Sequence, residues 1–187
     1  MKRILLTFLT LTFFITASTA QSVRIGPKVG LNIANFTGNV NTEARSLAGL
    51  QAGGVVEIEL MDWFSVQPEV LYSVKGIQLG EVRLVNNYVD LPIMAKFYPV
   101  DGLYGEIGPQ IGFLFSANEK DTANKISTIQ SYKTVDMGLA FGAGYVLRDI
   151  GLGFGIRYSA GFSNIFKNNS RIKNGVFQIA ATWTFEL

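Results

Sequence analysis

The chain has 187 residues, enough for one domain, and only 16% of them are charged, whereas soluble domains typically have about 25%. It contains no cysteine and no histidine, which excludes disulfides, thiol nucleophiles, Cys/His metal sites and histidine acid–base catalysis. The net charge of +2 is too small for a nucleic-acid-binding protein. We therefore expect no metal, no cofactor and no nucleic-acid partner.

The N-terminal segment predicts a cleaved signal peptide. Two basic residues precede an apolar run over residues 4–15, and small residues at the −3 and −1 positions suit cleavage before Gln21. A membrane anchor is disfavoured, because this run is shorter than the about 20 residues that a helix needs to span a bilayer. We predict that residues 1–20 are removed during Sec-dependent export and that residues 21–187 form the mature domain.

Eight stretches of β-strand periodicity follow. In each stretch an apolar residue occupies every second position, and the positions between are mostly glycine, polar or charged. A period of two is typical of a strand whose two faces meet different surroundings. In the first stretch, Val29 and Leu31 share one face, and Lys28 and Gly30 share the other. The stretches cover residues 23–36, 50–60, 64–75, 89–97, 106–115, 135–145, 152–162 and 177–187.

The connections between these stretches alternate in length. Short turns are predicted at residues 61–63, 99–102 and 148–151, and longer polar loops at residues 34–48, 76–87, 116–133 and 163–174. Outer-membrane barrels have short periplasmic turns and longer external loops. The sequence therefore predicts an all-β fold, an eight-stranded antiparallel up-and-down transmembrane β-barrel with four longer external loops.

Interior volume decides which face of the strands points outward. The apolar face carries roughly forty residues, many of them large, and an eight-stranded barrel has an interior just wide enough for side chains to fill. The glycine-rich face fits that interior, so the apolar face must point outward, where only lipid tolerates it.

The charged residues of the inward face are predicted to form a paired polar network in the lumen, because isolated buried charges are costly. A structural plug of salt bridges is favoured over an ion path or a catalytic pair. The candidates are Arg24, Lys28, Glu57, Glu59, Glu69, Lys75, Asp90, Lys96, Glu106, Asp136, Arg157 and Glu186.

Aromatic residues gather near the predicted strand ends, as in the two girdles that mark the membrane interfaces of barrels. One group lies near the short turns or the C-terminus: Trp63, Phe64, Phe97, Tyr98, Trp183 and Phe185. The other lies near the long loops: Phe36, Tyr72, Phe113, Phe115 and Phe162.

Four prolines fall inside the strand patterns, at Pro27, Pro68, Pro92 and Pro109. Each removes one hydrogen bond of the strand ladder, so bulges or local breaks of the ladder are expected there. Pro92 lies on the predicted lumen face.

Several phrases of the mature chain resemble the small outer-membrane β-barrel proteins of the Bacteroidota, the PorT-like "porin family" group. They are residues 67–69, 72–76, 89–92, 108–112, 157–158 and 161–165. The resemblance implies an eight-stranded barrel in the outer membrane. One branch of the group takes part in protein secretion, and the resemblance carries over no functional residues.

The C-terminal alternation of Trp183, Phe185 and Leu187 resembles the final strand that the outer-membrane insertion machinery recognises. These residues are predicted to be an assembly signal.

Four classes of function are considered for a barrel of this pattern. The first is a structural or interaction protein, most simply a monomer, whose partners are outer-membrane lipids, including lipopolysaccharide. Lys167, Arg171 and Lys173 in the last loop suit anionic headgroups. The second is a narrow small-solute channel or an accessory component of a secretion system. An enzyme is disfavoured, since without His and Cys it would need Ser with Lys, or carboxylates such as Glu57 and Glu59. The fourth, a soluble barrel that binds a ligand with its apolar face inward, is disfavoured by the interior volume.

Overall fold

The computed structural model describes residues 22–38, 44–80, 82–120, 125–127, 130, 132–164 and 172–187. The predicted signal peptide lies outside these residues. The strands are β1 (Val23–Gly38), β2 (Ala44–Met61), β3 (Phe64–Leu79), β4 (Val82–Val100), β5 (Leu103–Lys120), β6 (Lys125–Ser127), β7 (Val135–Leu147), β8 (Leu152–Gly161), β9 (Ile172–Trp183) and β10 (Phe185–Glu186).

The strands form one closed antiparallel barrel. Each of the eight long strands pairs with the next in the chain, β5 pairs with β7, and β9 pairs back onto β1, which closes the sheet. The short β6 extends the free edge of β5, and β10 continues the line of β9 along β1. This confirms the predicted eight-stranded up-and-down barrel.

The alternating residues of each strand lie on the inner and the outer face of the barrel wall. Exposed large hydrophobic residues such as Leu50, Val70 and Phe154 cover the outer surface, whereas the residues next to them in the chain are buried or half-buried. The exposed hydrophobic residues occur on every long strand, as expected of a surface that faces lipid.

Strands β2 to β5 are longer than predicted. They have 16 to 19 residues, whereas about 9–11 residues suffice to span a membrane. Residues 76–87, predicted as a loop, instead continue the β3/β4 hairpin on either side of a turn that contains Gly80 at φ +59°. Sequence alternation fades there because both faces of the hairpin leave the lipid, although the backbone hydrogen bonds continue.

The prolines interrupt the ladders without shifting their register. Pairing of β3 with β4 stops after Pro68 and resumes at Leu71. Pairing of β4 with β5 is likewise interrupted between Pro92 and Ala95. The register on both sides of each gap is the same, and the observed register shifts lie elsewhere. Of the two expected alternatives, the structure therefore shows ladder breaks and not bulges at these prolines.

Glycine at the inward positions lets neighbouring strands approach each other. A Cβ atom on Gly108 would lie 1.9 Å from the carbonyl oxygen of Ile93 on the adjacent strand, and one on Gly53 would lie 2.0 Å from that of Val70. Such distances are far below van der Waals contact, so both positions require glycine for the backbones to pack as they do.

Candidate functional site

The middle of the lumen holds a cluster of four charged side chains from four different strands. Arg157 of β8 forms a two-pronged ion pair with Glu69 of β3, with both Nη–Oε distances 2.8 Å. Its Nε atom donates to Glu106 Oε1 of β5 at 2.7 Å. Lys28 Nζ of β1 donates to both oxygens of Glu69, at 3.0 and 3.1 Å. The cluster is charge-balanced and fully buried, and its two-pronged geometry is the strongest form of ion pair in proteins.

A second buried group lies nearer the short turns, around Glu57. Its carboxylate is 3.4 Å from Lys96 Nζ and accepts a hydrogen bond from Ser65 Oγ at 2.6 Å. The hydroxyl of Tyr98 donates to it as well. The ammonium of Lys96 lies 4.4 Å from the ring centre of Tyr104, within the range of a cation–π contact.

Tyr98 therefore corrects the predicted girdle. It is buried in the lumen, not placed on the lipid face. Proximity to a short turn suggested the girdle, but Tyr98 shares the inward parity of Lys96 and Met94, both of which are buried. Alternation along a strand is the stricter guide to which face a side chain occupies.

The mouth of the barrel at the short turns carries a partly exposed network. Glu59 Oε1 lies 3.2 Å from Arg24 and 3.5 Å from Arg148, and Arg148 Nε also lies 2.9 Å from Asp101. Arg148, which stands in the turn after β7, was not among the predicted lumen residues. Glu186 was predicted for the lumen, but it is exposed at the barrel end and accepts a hydrogen bond from Ser22 Oγ, because β10 reaches past the rim.

The half of the lumen farther from the short turns holds the remaining predicted charges. Lys75 Nζ lies 2.9 Å from Asp90 Oδ1, and Asp136 Oδ2 accepts a hydrogen bond from Asn174 at 2.7 Å. The ammonium of Lys75 also lies 4.6 Å from the ring centre of Tyr88. The structure thus brings the predicted lumen charges together in separate groups along the barrel.

An apolar cluster closes the lumen above these charges. It contains Ile77, Tyr88, Leu114, Ala117 and Tyr132, all buried. Tyr132 precedes β7 and is not part of a long strand, and burial raises the pKa of its hydroxyl to about 12. Sequence reasoning missed this cluster, because Ile77, Ala117 and Tyr132 come from segments that were predicted to be loops.

The space left between the lumen side chains is small. Three cavities between the charged groups have volumes of about 10 Å³ each, which is room for roughly one water molecule. Lys28, Lys75 and Lys96 each line one of them. Across the described residues, the lumen is filled by side chains.

The other predicted girdle residues in the described part of the chain lie on the outer face. Near the short turns, Trp63 stacks on Phe97 at a ring distance of 6.4 Å, and Trp183 contacts Phe185 at 4.8 Å. At the opposite end, the Tyr72 ring lies 5.8 Å from that of Phe115. Phe64 packs on Phe97 at a ring distance of 5.1 Å, and Phe113 and Phe162 are exposed on the outer face. The side chain of Phe36 lies outside the described residues.

The residues of the predicted assembly signal lie at the end of β9, on β10 and just beyond it. Phe185 pairs with Ile25 of β1, and the amide of Leu187 donates to the carbonyl oxygen of Val23 at 2.9 Å. Trp183, Phe185 and Leu187 are all exposed.

The hydroxyl of Tyr98 offers a direct test of its inward position. Tyr98→Phe is expected to lower the free energy of unfolding by about 1.5 kcal/mol, because buried Glu57 loses a hydrogen bond to its charge. Tyr72→Phe is the matched control, since its hydroxyl bonds Asn87 in an exposed pair and should change stability by less than about 0.5 kcal/mol. Urea unfolding in lipid vesicles measures both. Equal effects would contradict the inward placement.

No helix in the described residues is long and apolar enough to cross a membrane.

Comparison with known proteins places this fold among outer-membrane barrels. A family model described as "Outer membrane protein beta-barrel domain" matches residues 19–167. Neisserial surface protein A (NspA) has a similar solved structure, with a TM-score of 0.60, 8% identity, and coverage of 89% of this chain and 99% of that chain. Ail, the attachment invasion locus protein of Yersinia pestis, is similar with a TM-score of 0.53, 15% identity, and coverage of 87% and 98%. No curated protein matches the chain in sequence. At such identities the structural likeness concerns the fold alone.

Proposed function

Because the chain belongs to the outer membrane protein beta-barrel domain family, we propose that it serves as a structural or interaction protein of the outer membrane through its external hairpins and loops. Family and fold establish a small eight-stranded outer-membrane barrel. The proposed structural or interaction role, as opposed to a channel, is supported by the central cluster of buried charges, because this cluster closes the lumen. The cluster consists of Lys28, Glu69, Glu106 and Arg157.

A channel is disfavoured by the energetics of this cluster. A hydrated ion would have to displace Arg157 from two carboxylates at once, at distances of 2.7 and 2.8 Å. Breaking a buried ion pair is strongly destabilising, on the order of 3–5 kcal/mol. The water-sized cavities of about 10 Å³ leave room for single water molecules only.

An enzymatic role is disfavoured by the ion pairs and hydrogen bonds that already engage the candidate carboxylates. Glu57 is engaged by Lys96, Ser65 and Tyr98, and Glu59 by two arginines. Carboxylates neutralised in this way suit structural ion pairs better than general acid–base work, which needs a group whose proton can move.

Finer assignments belong to this proposal and rest on sequence features. Membership in the PorT-like group of the Bacteroidota is supported by the phrases at residues 67–69, 89–92 and 108–112. A role as an accessory component of protein secretion is the alternative that this resemblance supports. The N-terminal segment supports export by the Sec pathway. The exposed aromatic residues at the C-terminus support recognition by the outer-membrane insertion machinery.

Two measurements on the mature chain test the proposal. Protein from the membrane fraction should migrate differently in detergent electrophoresis before and after boiling, because a folded barrel resists the detergent until heated. In planar bilayers it should show no discrete conductance steps. A variant with Lys28, Glu69, Glu106 and Arg157 all replaced by Ala is the control, since it empties the lumen without a net charge change and should leak if it folds. Discrete steps from the unaltered protein would favour the channel, and unshifted soluble protein would reject the barrel.

A further inference from the structure

One buried carboxylate of the lumen has no basic partner. Asp136, the second residue of β7, is only 7% exposed, and no lysine or arginine among the described residues lies within 4 Å of its carboxylate. Its Oδ2 atom accepts a hydrogen bond from Asn174 Nδ2 at 2.7 Å. Its buried Oδ1 atom accepts none in the described part of the chain. Buried charges in proteins are paired or bind metal ions, so Oδ1 needs a partner.

The lysine beside Asp136 is already engaged by another carboxylate. Lys75 lines the same cavity as Asp136, but its Nζ atom lies 2.9 Å from Asp90 Oδ1 and 4.6 Å from the ring centre of Tyr88. Asp136 pairs with Gly112, and Gly112 pairs with Asp90. The two carboxylates therefore stand on strands that are two spacings, about 10 Å, apart. With both carboxylates ionised, one ammonium and two carboxylates give this group a net charge of −1.

The unpartnered oxygen of Asp136 lies beside a small cavity. The cavity has a volume of about 10 Å³, which is room for roughly one occupant the size of a water molecule. Gly161 of β8 keeps this space open, because a Cβ atom there would lie 3.4 Å from Asp136 Oδ1 and 2.9 Å from the carbonyl oxygen of Asn174. Oxygens from β7 and β9 therefore face the same point next to Gly161.

The atoms that lack partners in this cavity are acceptors. Asp136 Oδ1 and Asn174 Oδ1 are buried without a hydrogen bond among the described residues, and Asn174 is 3% exposed. Gln110 Oε1, in the same lining, accepts from Ser159 Oγ at 3.0 Å. Two buried acceptors and a net negative charge favour a cation, and hard cations take carboxylate and amide oxygens as ligands. Such a site uses no His or Cys, so their absence from the chain does not exclude it.

We propose that Asp136 and Asn174 bind one monovalent alkali cation in this cavity. A single positive charge neutralises the group of Lys75, Asp90 and Asp136, whereas a divalent ion would leave an excess of positive charge and needs more oxygen ligands. The ion links β7 to β9 near the end of the barrel that carries the long loops. It thereby stabilises the wall that supports those loops, independently of what the loops bind.

The test uses the mature barrel in a nonionic detergent at about pH 8, where carboxylates are ionised, with Na⁺ as the probe. NaCl is titrated against choline chloride at constant ionic strength, because choline is too large for a cavity that holds one water molecule. Heat-dependent electrophoretic mobility gives the Tm. At Na⁺ about tenfold above its Kd, the Tm is expected to be about 3–6 °C higher than in choline chloride.

Asp136→Asn is the decisive variant, since it keeps the shape of the side chain and removes its charge. It should fold, because it removes an uncompensated buried charge, and its Tm should differ between the two salts by less than about 1 °C. Asp62→Asn is the matched control. It removes the same charge from an exposed turn and should keep the full difference between NaCl and choline chloride.

Four results would overturn the proposal. Equal Tm values of the unaltered protein in the two salts would mean that the cavity holds water only. A Na⁺ effect that persists in Asp136→Asn would place the ion elsewhere. A gain in Tm from about pH 8 to about pH 5 that is lost in Asp136→Asn and does not depend on Na⁺ would make a proton the occupant. A larger gain in CaCl₂ at the same ionic strength, again lost in Asp136→Asn, would mean a divalent site.

Discussion

Replacement of Arg157 by Gln is expected to lower the free energy of unfolding by about 3–5 kcal/mol, the range for breaking a buried ion pair. Among the described residues, Arg157 is the only cation within 4 Å of the Glu106 carboxylate. It also shares the carboxylate of Glu69 with Lys28. The Arg157→Gln substitution therefore leaves two buried carboxylates facing one lysine. Urea unfolding of the barrel in lipid vesicles, followed by electrophoretic mobility, measures the loss.

Two further variants give this experiment its controls. Adding Glu106→Gln to Arg157→Gln makes the cluster neutral again and should recover most of the lost stability. Arg148→Gln removes an arginine from the partly exposed mouth, where its partner Asp101 is 85% exposed, and should cost less than about 1 kcal/mol. If Arg157→Gln lowers the free energy of unfolding no more than Arg148→Gln does, the lumen is hydrated and the central cluster does not stabilise the barrel.

The second large effect is expected at Gly108, where a methyl group has no room. Gly108→Ala would place the new Cβ 1.9 Å from the Ile93 oxygen and 2.9 Å from the Cα of Met94, both backbone atoms of β4. Relief requires the two strands to separate, and overpacking of this kind costs typically 1–3 kcal/mol and here is expected at about 3 kcal/mol or above. The folded fraction after refolding into vesicles should fall accordingly.

Gly105 on the same strand provides the matched control. A Cβ atom there would meet nothing within 4 Å, so Gly105→Ala should be neutral or slightly stabilising, because alanine restricts the unfolded chain. Equal losses in the two variants would show that general strand propensity, and not the close approach of β4 and β5, makes glycine necessary at Gly108.

The predicted architecture followed from local pattern alone. Alternation of period two located the eight long strands, and the mismatch between the apolar face and the interior volume oriented them. The same alternation correctly separated Lys96 from Phe97. Tyr98 was misplaced only where proximity to a turn was given more weight than parity.

The limits of the pattern appear where the outer face of a strand leaves the lipid. Beyond the membrane, β3 and β4 continue to pair through Leu79 and Val82, although the strict alternation of apolar and polar residues ends. The apolar cluster at Tyr132 was missed for this reason, because most of its members come from segments that were predicted to be loops.

The sequence by itself determined a barrel, the face of its strands that points outward and most of the charges in its lumen, because each of these depends on the composition of alternating positions. Only the tertiary structure decided which charges pair. Arg157 and Glu69 are 88 residues apart in the chain and stand on strands that are not neighbours in the sheet. They meet because a narrow closed barrel brings opposite walls within reach, and strand tilt and register set the height at which each side chain enters the lumen. Those quantities belong to the whole sheet, and no local segment encodes them.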